Sequence, residues 1–232
     1  MSLDKVGAVI AAAGLSRRMG GVDKVLALLG GKPVLAWAID AFQRCNLIDQ
    51  IVVVVSKQNL ERCRQLVAEQ GWSKVTEVCP GGKRRQDSVM AGLSRLSHCD
   101  WVVIHDGARP LVTGDLIGHG IEAARETGVA VAAVPVTDTI KVAGEDRVVQ
   151  QTPLRRNLWA VQTPQVFRFD IITEAYHRAK GEVTDDASLV EQLGYKVKLY
   201  MGSYDNIKVT TPNDLVLAVL IIANQLGTIV PR

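Results

Sequence analysis

No Cys-x-x-C pair occurs in this 232-residue chain, and none of its four cysteines (Cys45, Cys63, Cys79 and Cys99) has a histidine at metal-ligand spacing. That excludes a zinc ribbon and a dithiol redox motif, and leaves free, mostly buried thiols in a reducing compartment as the expectation. A large excess of charge of one sign is also missing, with 27 Lys and Arg against 24 Asp and Glu. The net charge of +3 is too small to argue for a nucleic-acid binder. Long hydrophobic runs are absent: the longest apolar stretch, residues 215–223, is far shorter than a membrane span. The start, MSLDKVGAVIAAAG, lacks the basic region and cleavage site of a signal peptide. There is no internal repeat and no low-complexity segment. These absences predict a cytoplasmic protein with one domain over residues 1–232 and no nucleic-acid or membrane partner.

What is present reads as an α/β protein. Hydrophobic residues make up 47% and charged residues 22%, an ordinary balance for a soluble globular chain of a length that buries a substantial core. Strand-like apolar runs cover 6–13, 51–55, 74–78, 101–104, 129–136 and 196–200. Helical patterns cover 33–44, 59–70, 86–96, 114–126, 170–180, 186–192 and 212–226. Uninterrupted Val/Ile runs such as IVVVV belong to strands covered on both faces. Their alternation with helices predicts a doubly wound, mostly parallel sheet.

Residues 137–156 break that rhythm. Polar, β-prone pieces at 139–142 and 148–152 flank a Gly-Glu-Asp turn, which predicts a protruding β-hairpin arm with no helix to cover it. An exposed hairpin is an edge liability unless something pairs with it, and a second subunit is the expected cover.

Three segments look chemical. The first, Ala11-Ala12-Ala13-Gly14-Leu15-Ser16-Arg17-Arg18-Met19-Gly20-Gly21, follows the first strand and is trailed by Lys24. A glycine-rich turn there lets backbone N–H groups approach phosphate oxygens, and the cations can meet a triphosphate. It is neither G-x-G-x-x-G nor a Walker A motif, which counts against a dinucleotide oxidoreductase and a P-loop. The second, Gly81-Gly82-Lys83-Arg84-Arg85-Gln86-Asp87-Ser88, opens a helix whose N-terminus attracts anions. The third, His105-Asp106-Gly107-Ala108-Arg109-Pro110, ends a strand, where open α/β sheets bind ligands. A carboxylate there can hold Mg²⁺ against phosphate oxygens, and an arginine can bind a second anionic group. His105 reads as structural. In the second half, Arg155, Thr163, Thr184, Asp185, Asp186 and Lys208 sit near the ends of apolar elements, with Thr184 a plausible helix cap.

Together with LWAVQTPQ at 158–165, TDDAS at 184–188 and NIKVT at 206–210, these segments resemble the 2-C-methyl-D-erythritol 4-phosphate cytidylyltransferases of the non-mevalonate isoprenoid pathway. The resemblance runs from about Val6 to Leu217 and implies a Rossmann-like nucleotidyltransferase fold. It implies that CTP is joined to a small sugar-alcohol phosphate with the release of pyrophosphate, assisted by Mg²⁺. Ala12, Ala13, Gly14, Gly82, Arg85, Ser88, Asp106 and Gly107 would bind CTP, and Asp106 would hold the metal. Arg109, Thr139, Arg155, Thr163, Thr184 and Lys208 would bind the acceptor. Arg18, Lys24, Arg155 and Lys208 would be catalytic, with Thr139 and Arg155 reaching from the arm into the other subunit's site of a homodimer. Ribitol 5-phosphate is the alternative acceptor.

The chain departs from the family pattern twice. Val22-Asp23-Lys24-Val25 stands where a Pro usually precedes the Lys and a Gln follows it, and Gly107 replaces a commoner Ala. The first puts the loop's path in question. The second is expected to be tolerated.

Overall fold

The computed structural model describes residues 4–14, 23–178, 181 and 183–225. In chain order the elements are β1 (Val6–Ala12), β2 (Leu28–Leu29), β3 (Lys32–Pro33), α1 (Val34–Arg44), β4 (Gln50–Val55), α2 (Leu60–Gln70), β5 (Val75–Pro80) and α3 (Arg85–Leu93). There follow β6 (Trp101–Asp106), α4 (Gly114–Thr127), β7 (Val129–Pro135), β8 (Val142–Ala143), β9 (Val149–Gln151) and β10 (Trp159–Arg168). The last are α5 (Phe169–Arg178), α6 (Asp186–Gln192), β11 (Lys198–Met201) and α7 (Pro212–Gln225).

Seven strands form one sheet in the order β11-β7-β10-β6-β1-β4-β5. The Val/Ile-rich strands behave as their sequence predicts, with β1 parallel to β4 and β6, β4 parallel to β5, and β7 parallel to β11. Side chains alternate between two cores. On one face Ala8, Ile10, Ile51 and Val53 pack with Leu35, Ile39 and Phe42 of α1 and Ile117 and Ile121 of α4. On the other, Val9, Val52, Val54, Val102 and Ile104 pack with Val89 of α3, Ile171 and Ile172 of α5, and Leu189 of α6. Burial on both faces explains why no polar alternation marks these strands.

The long strand absent from the sequence reading, beside the two-residue strands β2 and β3, is β10. It runs antiparallel between β6 and β7, in the middle of the sheet. A proline argues against a central strand because it cannot donate to the ladder. Here the pairing with β7 shifts register between Val161 and Gln165, so Pro164 sits in the irregularity, and the Thr163–Pro164 peptide is cis. Buried polar side chains on this strand (Gln162, Thr163 and Gln165) make it resemble a loop in sequence. One helix is shorter than its periodicity predicts, α3 ending at Leu93, while residues 179–180 of the helix expected at 170–180 lie outside the described residues.

The arm is present as the ribbon β8–β9, with Val142 opposite Gln151 and Ala143 opposite Val149. Its paired residues are exposed, and Val148, Val149 and Leu154 are 61%, 54% and 62% accessible. At the far edge, α7 lays Ala218 against Leu29, Val34 and Leu111.

Candidate active site

The carboxyl ends of β1, β4 and β6 and the start of α3 surround a cavity of about 670 Å³. Ala12, Ala13 and Gly14 line it from the end of β1, Gly82, Arg85 and Ser88 from the turn into α3, and Asp106 from the end of β6. Lys24, Lys57, Lys83 and Lys208 also line it, so one carboxylate faces a surround of cations. Such a hollow suits a polyanion. A wider hollow of about 790 Å³ lies beside the amino-terminal end of β6, away from these residues.

Lys24 is placed by its neighbour. The Asp23 carbonyl accepts the N–H groups of Leu26 (3.1 Å) and Ala27 (2.9 Å), and Asp23 Oδ1 accepts that of Val25 at 3.2 Å. The other carboxylate oxygen accepts the side-chain amide of Asn59. Asp23 therefore caps the turn that presents Lys24, a task suited to Asp and unavailable to Pro. Arg18 lies outside the described residues.

The turn into α3 is closed by Ser88. Its Oγ accepts the Gly82 N–H at 3.2 Å and donates to the Arg84 carbonyl at 3.1 Å. A Cβ on Gly82 would stand 2.3 Å from that of Asp87, so only glycine permits this approach. The Ser88 hydroxyl thus serves the loop itself in this structure.

Asp106 is the electrostatic centre. Its Oδ1 faces Arg85 Nε at 3.2 Å and its Oδ2 faces Lys208 Nζ at 2.6 Å. Burial would raise its carboxyl, but Arg85 and Lys208 overcome this and hold it well below the usual carboxylate range. Arg85 is gripped on its other side by Asp186, with Nη1 2.7 Å from Oδ2. Burial works against the Arg85 charge, and Asp186 and Asp106 more than restore it.

The backbone of Asp106 is fixed from β10, its N–H donating to Thr163 Oγ1 at 3.0 Å. His105 is wholly buried, and burial pushes its imidazole down to about 4, so the ring is neutral at physiological pH. Both ring nitrogens are engaged within the protein, Nδ1 by Thr163 Oγ1 and Nε2 by the Arg109 carbonyl. Gly107 is cramped: a Cβ would meet Leu35 Cδ1 at 2.9 Å and Ala12 Cβ at 3.0 Å.

The remaining predicted residues fall into two groups. Arg109, Thr163 and Thr184 do not line the cavity. Arg109 Nη1 donates to the Asn206 carbonyl at 2.6 Å, and buried Asn206 donates to the Thr163 carbonyl at 2.8 Å. Arg109 Nε is buried without a hydrogen-bond partner among the described residues. Thr184 is exposed just before α6, and the cap is Asp185, whose side chain accepts the Ser188 N–H at 3.1 Å. Thr139 and Arg155 are exposed on the arm, where Arg155 Nη1 donates to the Thr137 carbonyl at 2.9 Å. Neither lines this chain's own cavity.

Sequence reasoning missed Ser56 and Lys57, which follow β4 and line the cavity. Their place just past a buried strand was the available signal. It also missed Asp186 as an ion-pair partner, reading it only as a helix start. Magnesium fits the donor set in one way. Asp106 is the cavity's carboxylate, and no cluster of three His, Cys, Asp or Glu residues occurs among the described residues. An ion carried mainly by phosphate oxygens and water needs one such ligand.

Comparison with known proteins bears directly on this site. A family model described as IspD, 2-C-methyl-D-erythritol 4-phosphate cytidylyltransferase, matches residues 6–224. The protein of that name from Dehalococcoides mccartyi is 53% identical over 219 residues, covering 94% of this chain and 96% of its own. The one from Caldanaerobacter subterraneus is 49% identical over 221 residues, 93% of this chain and 97% of its own. Among solved structures, the 4-diphosphocytidyl-2C-methyl-D-erythritol synthase of Anaerococcus prevotii superposes with a TM-score of 0.84 at 29% identity, covering 94% of this chain and 98% of that one. The Thermus thermophilus cytidylyltransferase gives 0.77 at 32% identity, with the same two shares. The match spans the strands that end at the cavity and the segments that supply Lys208 and Thr163. This chain belongs to the 2-C-methyl-D-erythritol 4-phosphate cytidylyltransferase family.

Proposed function

We propose that this chain transfers CMP from CTP to 2-C-methyl-D-erythritol 4-phosphate, giving 4-diphosphocytidyl-2-C-methyl-D-erythritol and pyrophosphate. One observation carries the reading: a single buried carboxylate, Asp106, ion-paired to Arg85 and Lys208 at the floor of a cation-lined cavity beside the Gly14 turn. An acceptor phosphate oxygen attacks the α-phosphorus of CTP. The bond from that phosphorus to the bridging oxygen breaks, and pyrophosphate leaves with the electron pair. The acceptor is already an anion, so no general base is needed, consistent with a neutral His105.

The barrier lies in bringing two anions together, and pre-placed cations lower it. Lys24, and Arg18 outside the described residues, are assigned to the α-phosphoryl and leaving-group charge. Ala12, Ala13, Gly14, Gly82, Arg85, Ser88 and Gly107 are assigned to CTP. Lys208, Arg109, Thr163 and Thr184 are assigned to the acceptor. Asp106 would hold Mg²⁺, which when bound supplies further neutralisation of the phosphates.

We further propose a homodimer in which the arm covers the partner and supplies Thr139 and Arg155 to its site. The exposed Val148, Val149 and Leu154 support this, since bare apolar ribbons seek cover. Free thiols at Cys45, Cys63, Cys79 and Cys99 suit a reducing cytoplasm. Ribitol 5-phosphate remains a comparison substrate, disfavoured by the names of the relatives.

The test offers purified protein CTP and Mg²⁺ with either acceptor and follows pyrophosphate release. Turnover with methylerythritol phosphate at a kcat/KM at least a hundredfold above that with ribitol phosphate is expected. Equal turnover, or none, overturns the assignment.

A further inference from the structure

Arg85 is held from two sides, and the reaction described above uses only one of them. Asp186, its second partner, is 1% exposed and lies outside the lining of the cavity. Its Oδ2 faces Arg85 Nη1 at 2.7 Å, and its Oδ1 accepts the Tyr176 hydroxyl at 2.6 Å. Beyond Arg85 come Asp106 and then Lys208, so carboxyl and cationic groups alternate from the buried side of α6 to the cavity. Burial raises the Asp186 carboxyl, and Arg85 and the Tyr176 hydroxyl work against that rise. A guanidinium at the rim of a hollow that receives a triphosphate is drawn toward the phosphates. A deeply buried carboxylate behind it opposes that pull, because in a low-dielectric setting a close pair is strong and poorly screened. Burying such a carboxylate is costly, so its presence here calls for a task beyond holding α6 in place.

We infer that Asp186 is a positioning residue for the transfer step: it anchors Arg85, with Tyr176 steadying it, so that Arg85 holds the Asp106 carboxylate in one orientation instead of turning onto the phosphates. The inference rests on the cavity being the CTP site. Asp186 acts through Arg85 and touches neither substrate.

The experiment compares wild type, Asp186→Asn, Tyr176→Phe, Arg85→Gln and the Asp186→Asn/Arg85→Gln double variant. It measures steady-state kinetics with CTP, methylerythritol phosphate and Mg²⁺, and CTP affinity by calorimetry. Asp186→Asn is expected to lower kcat at least tenfold while CTP binds as tightly as before or a few-fold tighter, because the released guanidinium meets the phosphates. In the Arg85→Gln background the same change is expected to cost no further kcat. Tyr176→Phe, which removes one hydroxyl, guards against a misfolded Asp186→Asn, and a two- to fivefold loss of kcat at unchanged CTP affinity is expected of it.

Parallel loss of kcat and CTP affinity in Asp186→Asn, additive losses in the double variant, or an unaltered Tyr176→Phe would overturn the anchoring role while leaving the CTP site intact. Failure of the wild type to bind CTP would overturn the site reading and the inference with it.

Discussion

Thr163 and His105 share a hydrogen bond that fixes the state of both, with the threonine Oγ1 3.1 Å from the ring Nδ1. The other ring nitrogen, Nε2, lies 3.1 Å from the Arg109 carbonyl, which can only accept. The proton therefore sits on Nε2, and Nδ1 takes the threonine O–H. The same hydroxyl oxygen accepts the Asp106 N–H, so one side chain of β10 secures two consecutive residues of β6.

Replacing Thr163 with Val keeps the shape and removes the hydroxyl. It leaves a buried N–H and a buried ring nitrogen without partners, at a cost of about 1–3 kcal/mol in urea unfolding. Thr163→Ser should recover most of that. If Val and Ser variants unfold at the same urea concentration, the hydroxyl is not the fastening.

Acid should weaken the fold in a defined window. His105 has its pKa depressed from 6.5 to about 4, chiefly by burial. Below pH 6.5 the unfolded chain takes up a proton that the native ring refuses, so the contribution is complete above 6.5 and is lost as pH falls through 4. It amounts to about 3 kcal/mol over that span. Asp106, also held low, extends the loss to still lower pH. Urea titrations at pH 7.5, 5.5 and 4.5 should show the decline in wild type and a shallower one in His105→Gln.

Lys24→Ala tests the assignment of that lysine to charge that develops during transfer. kcat should fall about a hundredfold or more, the scale seen when one pre-placed stabilising group is removed. CTP affinity should change far less. Intact kcat with weakened CTP binding would make Lys24 a ground-state ligand only.

Gly107→Ala restores the residue more common in the family and is not free here. The added methyl would press on Leu35 and Ala12, both buried in the core beneath the cavity. Overpacking of this kind costs about 1–3 kcal/mol. A variant as stable as wild type would mean that Leu35 has room to turn aside.

The arm predicts the assembly. If the 25.2 kDa chain forms the proposed dimer, Val149→Asp should halve the molar mass in sedimentation and remove most activity. Mixing Arg155→Ala protomers with Lys24→Ala protomers should restore part of it, because one of the two sites in a mixed dimer then has both residues. No recovery would argue against shared sites.

The sheet was readable in the sequence where burial on both faces leaves a continuous apolar signature, as in Ile51 to Val55. β10 was not, because Gln162, Thr163 and Gln165 are buried for their hydrogen bonds, which Asn206, His105 and Asp185 complete from elsewhere in the chain. The cavity residues divide in the same way. Gly14, Gly82 and Asp106 stand where a strand or turn delivers ligands locally, and could be named in advance. The pairing of Arg85 with Asp186 is tertiary, and neither residue announces the other in sequence.

Placing β10 between β6 and β7 orders the assembly of the molecule as the ribosome releases it. Strands β5, β4, β1 and β6 can pair as soon as Asp106 has emerged, whereas β7 has no seat beside them until residue 168 exists. A nascent or truncated chain that ends between those points presents two open strand borders, at β6 and at β7, each a template for a neighbouring chain. Interrupted synthesis in that stretch should yield aggregates, and interruption beyond β11, which covers the other border of β7, should not.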